Sequence, residues 1–141
     1  MRRSGGGFAA AAIASAIGCA TSKVNSSTEG HVVPAEAPDS VPAWVRQDSL
    51  AGPSAYIPIR FRKNILVVHF RREATQAQRQ EAIDLISGTV VGGINRGTGN
   101  GMYLVRVPDP GDGSVLVRAS DQLHRLPYVS AAGPDIEFGP Q

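Results

Sequence analysis

The sequence predicts an α+β domain whose secondary-structure elements follow the order βαββαβ. Four runs rich in β-branched and other apolar residues are bounded by Gly, Pro or Asn, which is typical of short strands. Two longer segments place apolar residues at helical spacing. Hydrophobic residues make up 42% of the chain and charged residues 18%, which are ordinary values for a globular protein.

The first strand and the first helix are predicted between residues 64 and 88. The run NILVVHF, residues 64–70, is rich in β-branched residues and predicts a strand. The segment ATQAQRQEAIDLISG predicts a helix, because Thr75 and Gln78 form a capping-box pattern and Gly88 stands at the C′ position. The residues expected on its buried face are Ala82, Leu85 and Ile86.

Three more elements and a tail complete the predicted order. TVVGGIN predicts the second strand, RGTGNG a turn, and MYLVRV, residues 102–107, the third strand. SVLVRASDQLHRL predicts the second helix, with Ser114 as N-cap and Pro127 ending it. YVSAA predicts the fourth strand, which we expect to break at Gly133-Pro134 before an extended tail. The residues expected to share one face of the second helix are Leu116, Ala119, Leu123 and Leu126.

Right-handed crossovers turn this order into a ferredoxin-like fold, a four-stranded antiparallel sheet with both helices on one face. The other face is then expected to be open. Alternation along the strands assigns six residues to it. They are Ile65, Val67, His69, Met102, Leu104 and Arg106.

The predicted open face carries four apolar side chains, which indicates a protein-binding surface. The alternative is that residues 57–62, or the N-terminal segment, fold over it. RNA-binding domains of the same element order carry stacking aromatics on this face, and here the third strand has none there. We therefore expect a protein partner and no nucleic acid.

Residues 1–18 resemble a bacterial export signal. MRRS is positively charged, and the apolar run that follows is about eleven residues long, too short to span a bilayer. The single cysteine, Cys19, follows Ala16-Ile17-Gly18, which resembles a lipoprotein processing site. The prediction is a lipid-anchored protein of the bacterial cell envelope. The alternative is cleavage after Ala16, which leaves a soluble periplasmic or secreted chain.

Residues 19–56 are rich in Pro, Ser and Ala and predict a disordered tether, followed by a domain over residues 57–141. Trp44 is the one tryptophan of the predicted tether, and it either docks on the domain or is exposed. Without Arg2 and Arg3, Lys+Arg falls from 14 to 12 against 12 Asp+Glu, so the exported chain is near neutral. This balance does not point to nucleic acid.

No pattern of catalytic or metal-binding residues is found in the sequence. His31, His69 and His124 are far apart and lack the spacing of metal ligands. Asp109 and Asp112 lack the fixed spacing of a calcium loop. We therefore expect no enzyme activity and no cofactor.

Three stretches together resemble a known family over residues 64–141. NILVVHFRREATQAQRQEAIDLISGTVVGG, GMYLVRVPD and LHRLPYVSAAGPD are similar to the N-terminal prodomain of subtilisin-like serine proteases and its free-standing inhibitor relatives. The resemblance implies an inhibitor or folding chaperone whose sheet face packs on the protease. It also implies that the tail occupies the substrate cleft, with Phe138 in a pocket, Gly139 and Pro140 extended, and Gln141 next to the cleaved bond.

Two alternatives to this function stay open at this point. One is a non-catalytic envelope protein that reuses a common fold as a binding or structural module. The other is a remnant of a truncated secreted protease.

Overall fold

The computed structural model describes residues 31–47, 50–97 and 101–137. Within these ranges the protein is an α+β structure with an open antiparallel sheet of five strands and three helices. In chain order the elements are α1 (Ala43–Gln47), β1 (Leu50–Ala51), β2 (Phe61–Phe70), α2 (Gln76–Leu85), β3 (Thr89–Ile94), β4 (Met102–Arg106), α3 (Ser114–His124) and β5 (Val129–Ile136). The elements from β2 to β5 are the six predicted ones, and α1 and β1 were not predicted.

β2 is the central strand of the sheet. Its residues 66–69 pair antiparallel with both β4 and β5, so those two strands lie on opposite edges of β2. β4 pairs in turn with β3, and the short β1 pairs with β2 at Phe61 and Arg62. Neighbouring strands therefore run in the order β5, β2, β4, β3.

The main core lies between the two long helices and one face of the sheet. The alternation predicted for the strands is confirmed, because its core-facing set is buried: Leu66, Val68, Phe70, Tyr103, Val105 and Val107. The helices contribute Ala82 and Ile83 from α2 and Leu116, Ala119 and Leu123 from α3. Burying each Leu or Ile side chain stabilises the fold by about 1.5–3 kcal/mol.

The predicted buried face of α2 is wrong at one position. Leu85 is 48% exposed, whereas Ile83 is fully buried. Arg79, Ala82, Ile83 and Ile86 follow the spacing of three and four residues that forms one helical stripe, and Leu85 lies outside it.

The helix ends differ in detail from the sequence prediction. The Thr75–Gln78 capping box of α2 is confirmed. Ser87, with φ of 51°, takes the left-handed position expected for Gly88. Gly88 is instead required by close packing, because a Cβ there would lie 2.5 Å from Val105 Cγ1. In α3 the N-cap is Gly113, and Ser114 is the first helical residue.

The N-terminal segment 31–47, here called the arm, packs on the domain. Val33 is fully buried, Ala37 is 5% exposed and Val45 is 1% exposed. The prediction of a disordered tether up to residue 56 is therefore wrong for the arm, whose irregular backbone gave no periodic signal. The predicted export signal, Cys19 and the chain up to residue 30 lie outside the described residues.

Two glutamines of α2 hold the start of the arm. The backbone N–H of Val33 donates to Gln80 Oε1 at 2.8 Å, and Gln76 Nε2 donates to the carbonyl oxygen of Val33. Tyr103 Oη donates to the carbonyl of Pro34 at 3.0 Å. The amide groups of Gln76 and Gln80 thus satisfy the backbone of an extended segment as a neighbouring strand would.

Glycines in β3 allow the later part of the arm to lie against the sheet. The N–H of Gly93 donates to the carbonyl of Ser40 at 2.8 Å. A Cβ at Gly93 would stand 2.8 Å from the carbonyl oxygen of Pro38 and 2.5 Å from that of Met102. Such distances are shorter than real contacts, so a side chain here would displace the arm.

Candidate protein-binding face

The structure brings the six predicted open-face residues together on the side of the sheet opposite α2 and α3. The register of β2 and β4 pairs them directly across the two strands. The pairs are Ile65 with Arg106, Val67 with Leu104, and His69 with Met102. The grouping follows from the alternation of side chains along a strand.

The prediction that this face is open is wrong for two of the six residues. Ile65 is fully buried and Leu104 is 2% exposed, and both form one buried cluster with Val45 of α1. Val67 and Met102 are partly buried beside them. The alternative that the N-terminal segment folds over the face therefore describes this half, here called the covered half.

Two arginines of the sheet contact the covering helix α1. Arg62 Nη1 donates to the carbonyl oxygen of Val45 at 2.8 Å. The guanidinium carbon of Arg106 lies 5.9 Å from the centre of the Trp44 ring. Trp44 is nevertheless 41% exposed, so its contact with the domain is partial. A cation–π contact at such an exposed position contributes about 0.5–1 kcal/mol.

The other half of the face carries an open groove between β2 and β5, here called the β2–β5 groove. Its cavity volume is about 320 Å³. The walls are mainly apolar, and the groove exists because the side chains of β5 that line it are small. The lining residues are Val67, His69, Ala131, Ala132, Gly133, Pro134, Asp135 and Ile136.

His69 provides a polar group in the wall of the groove. Burial, and to a smaller extent the positive charge of Arg96, holds the pKa of His69 below its ordinary value of 6.5. The imidazole is therefore neutral at pH 7, when it presents one donor and one acceptor. A neutral ring costs less to cover with an apolar partner than a charged one would.

An ion pair joins the groove to the covering helix. Arg62 Nε lies 3.1 Å from Asp135 Oδ2, and the two side chains are only 20% and 26% exposed. Burial raises the pKa of Asp135, and the charge of Arg62 opposes that shift. Since Arg62 also donates to Val45, one guanidinium contacts both α1 and β5. The sequence reasoning missed this pair, because its residues are far apart in the chain.

The predicted break of the last strand at Gly133-Pro134 is wrong. β5 continues to Ile136, which pairs with Phe61, and the N–H of Glu137 donates to the carbonyl of Arg60 at 3.1 Å. Proline is compatible with an edge strand, where one side of the backbone has no strand partner. The tail predicted from Asp135 onward therefore starts no earlier than residue 138. Phe138, Gly139, Pro140 and Gln141 lie outside the described residues.

Side chains of α3 occupy the outer edge of β5. The N–H of Ala132 donates to His124 Nε2 at 3.2 Å, and Ser120 Oγ donates to the carbonyl of Ala132 at 2.8 Å. Pro134 has no N–H to offer. These contacts blunt an edge that would otherwise pair with another strand. His124, a histidine without an evident role in the sequence, thus caps the sheet edge.

Residues 31–47, 50–97 and 101–137 contain no group of three or more His, Cys, Asp or Glu side chains able to hold a metal ion. In the same ranges, none of the helices has the length and apolar character needed to cross a bilayer. His31 is used structurally, because its Nε2 accepts from the N–H of Val90 at 2.9 Å.

The chain was compared with known proteins. No protein-family model matches it, and no match was found among curated proteins or solved structures. The resemblance to subtilase prodomains rests on residue patterns alone.

Proposed function

We propose that this chain binds a subtilisin-like serine protease and acts as its inhibitor, its folding chaperone or both. The observation that carries the proposal is the β2–β5 groove, an apolar surface built partly from the strand that leads directly into residues 138–141. A partner lying in the groove is well placed to contact the segment that follows Glu137. One protein then contributes both a docking surface and a peptide.

The fold proposed for this role is the ferredoxin-like arrangement. The strand neighbours β5, β2, β4 and β3, combined with the order βαββαβ, support it. Residues from both α2 and α3 join one core with Leu66 and Val68, which supports a single helical layer. The side of the sheet with Val67 and His69 is then available to a partner.

The binding contribution is divided between the groove and the peptide. In the groove, the partner covers Val67 and the neutral His69, while Asp135 stays paired with Arg62 at the rim. Residues 138–141 bind in the substrate cleft through their main chain, in the manner of an added strand. Pro140 lowers the cost of ordering that segment. Inhibition and chaperoning share this mechanism, because a ligand of the native protease stabilises the native state.

The proposal includes export and attachment to the envelope through an acylated Cys19. Several acyl chains would hold the protein at a membrane surface, since each buried CH₂ contributes about 0.8 kcal/mol. Intact-mass spectrometry of the chain from a bacterial membrane fraction tests this part. Acylation predicts added lipid mass and its loss in Cys19→Ser.

A second candidate is a structural or binding module of the envelope that contacts no protease. Two observations favour it: Val45 covers Ile65 and Leu104, and α3 occupies the outer edge of β5. Both features remove surfaces that a partner would otherwise use.

Inhibition of a subtilisin-type protease by the full chain separates the two candidates. Gly133→Arg is the blocking variant, because no atom lies within 4 Å of a Cβ built there and the new side chain enters the groove. The control is Leu85→Arg, at an exposed apolar position on the helical layer.

The proposed function predicts inhibition by the wild-type chain and by Leu85→Arg. Gly133→Arg, and deletion of residues 138–141, should each weaken inhibition by about tenfold or more, which corresponds to about 1.4 kcal/mol. Equal inhibition by all four proteins would show that neither the groove nor the peptide is used. No inhibition by the wild-type chain, combined with no binding, would favour the structural module.

A further inference from the structure

We propose that the β2–β5 groove and a cavity beside it form a binding site for a small amphiphile, with its alkyl chain along β5 and its carboxylate head group at His69. The inference goes beyond the proposed function, because the ligand is a small molecule and the test contains no protease. It would hold equally for a binding module of the envelope.

A second cavity, here called the head cavity, lies at the His69 end of the groove. Its volume is about 360 Å³, and it is lined by His69, Phe70, Ser130 and Ala131. His69 and Ala131 also line the β2–β5 groove, so the two cavities adjoin. Each volume lies at the lower end of the range of about 300–1,000 Å³ that small-molecule sites occupy. Together they form one elongated site along β5.

The two cavities differ in polarity. The β2–β5 groove is mainly apolar, whereas about half of the head cavity is polar. Ser130 Oγ donates to the carbonyl oxygen of His69 at 3.1 Å, which joins two walls of the head cavity. The neutral ring of His69 stands between the cavities and offers one N–H. A ligand that fills both cavities therefore has an apolar part in the groove and a hydrogen-bonding part beside His69.

The groove is long and narrow. It follows β5 from Ala131 to Ile136, five steps of about 3.3 Å that give about 17 Å. Across the strands, Ala131 pairs with His69 and Gly133 pairs with Val67, so the β5 side of the groove has almost no side-chain bulk. This length is large for a volume of about 320 Å³, which favours an unbranched alkyl chain over a compact ligand.

Positive charge lies at the His69 end of the site. The connection that follows Phe70 carries Arg71 and Arg72, both exposed, against one carboxylate, that of Glu73. Phe70 itself lines the head cavity, so these charges begin one residue away from it. An anionic head group is attracted to such a cavity, and charge-assisted hydrogen bonds are stronger than neutral ones.

Arg96 adds to this charge from the other side of His69. β3 ends at Ile94, which pairs with Met102, and Met102 pairs with His69. Arg96 follows Ile94 by two residues, and its charge contributes to holding the pKa of His69 below its ordinary value. A head group at His69 therefore lies in the field of arginines from two connections of the sheet.

The opposite end of the groove carries acidic side chains. Asp135 pairs with Arg62 at 3.1 Å, and Glu137 pairs with Arg60 at 3.7 Å. A carboxylate head group at that end would approach two further carboxylates. The charges therefore set the direction of the ligand, with its head in the head cavity and the end of its chain toward Ile136.

Nuclear magnetic resonance of the full chain with dodecanoate tests the site. The probe is kept below the concentration at which it forms micelles, and chemical shifts are followed residue by residue, so binding elsewhere in the chain is seen separately. We expect saturable shifts of the N–H groups of Ala131 and Gly133 and of the His69 ring. Decanoate should bind there roughly tenfold more weakly, because its chain buries two fewer CH₂ groups.

Matched variants locate the alkyl chain. Gly133→Leu fills the groove, because no atom lies within 4 Å of a Cβ built there, and it should weaken binding of dodecanoate by about tenfold or more. Val32→Leu adds a similar side chain at a position of the arm that is 71% exposed, and should leave binding unchanged. The comparison of chain lengths uses the wild-type chain, so the proposal stays testable if Gly133→Leu does not fold.

A second pair of variants locates the head group. Arg96→Gln should weaken binding of dodecanoate by about threefold, as expected for an exposed charge. Arg118→Gln makes the same change at an exposed position of α3 and should have no effect. Dodecyltrimethylammonium, which has the same chain and a positive head group, should bind to the wild-type chain more weakly than dodecanoate.

The proposal has two results that would overturn it. Absence of saturable shifts at Ala131 and Gly133, or equal binding by the wild-type chain and a folded Gly133→Leu variant, would show that the groove does not hold the alkyl chain. Equal affinity for dodecanoate and dodecyltrimethylammonium would show that the head cavity does not select a carboxylate.

Discussion

Replacing Val33 by Ala measures whether the arm is part of the cooperative fold. Val33 is fully buried among residues of the main core, and the substitution removes two of its carbon atoms from that core. At about 0.8 kcal/mol for each buried carbon, the transfer term is about 1.6 kcal/mol. The cavity left behind adds to it, so the expected loss in free energy of unfolding is about 2–3 kcal/mol.

The adjacent residue provides the control for this measurement. Val32 is 71% exposed, so Val32→Ala should change the free energy of unfolding by less than about 0.5 kcal/mol. Urea titration followed by far-ultraviolet circular dichroism gives both values. For a urea slope of about 1–3 kcal/mol per molar, Val33→Ala should lower the midpoint by roughly 1 M.

Equal results for the two valine substitutions would contradict this reasoning. If Val33→Ala and Val32→Ala unfold at the same midpoint, the arm contributes nothing to the stability of the sheet. The domain would then begin near residue 57, as the composition of the segment suggested.

Three further substitutions test other parts of the structure. Leu104→Asp places an unpaired carboxylate beneath α1, and should lower the free energy of unfolding by several kcal/mol in thermal or urea denaturation. Burial raises the pKa of Asp135 above 3.8, so the folded state binds its proton more tightly and stability falls as pH rises through that region. Asp135→Asn should reduce this fall as pH rises above 3.8, and an unchanged slope would contradict the assignment. His124→Ala exposes the N–H of Ala132 at the sheet edge and should increase self-association in light scattering, whereas the exposed neighbour Arg125→Ala should not.

The strands and the two long helices could be predicted because their patterns are periodic over many residues. Leu66 and Val68 alternate with Val67 and His69, and this fixes which side of β2 enters the core. The same alternation grouped the six residues of the opposite face correctly. It carried no information about what lies over them.

The packing of α1 on the covered half of the face was not predictable from the sequence of α1 itself. A helix of five residues makes little more than one turn, so Val45 has no repeated partner in the sequence to reveal an apolar face. The pair Val41 and Val45, four residues apart, was the available signal, and the surrounding prolines hid it. Val45 and Leu104 belong to one cluster although they lie far apart in the chain.

The end of the last strand is set by its pairing with β2 and not by the local turn pattern. Gly133-Pro134 is a typical turn pattern, and it predicted the end of β5. β2 begins at Phe61 and offers its edge as far as that residue, so β5 continues alongside it to Ile136. The length of the central strand determined where its neighbour ends.

The hydrogen bonds from the glutamines of α2 to the arm have a mechanical consequence. Whatever precedes residue 31, tension from that side of the chain reaches the domain first at His31, which accepts hydrogen bonds from Val90 and Gln80. It acts next at Val33, where Gln76 and Gln80 hold the backbone. The arm would then detach from the domain in sequence order, and Val45 would detach last. A moderate force would therefore break the hydrogen bonds of Gln76 and Gln80 before it disrupts the sheet. A sustained force would finally expose Ile65 and Leu104.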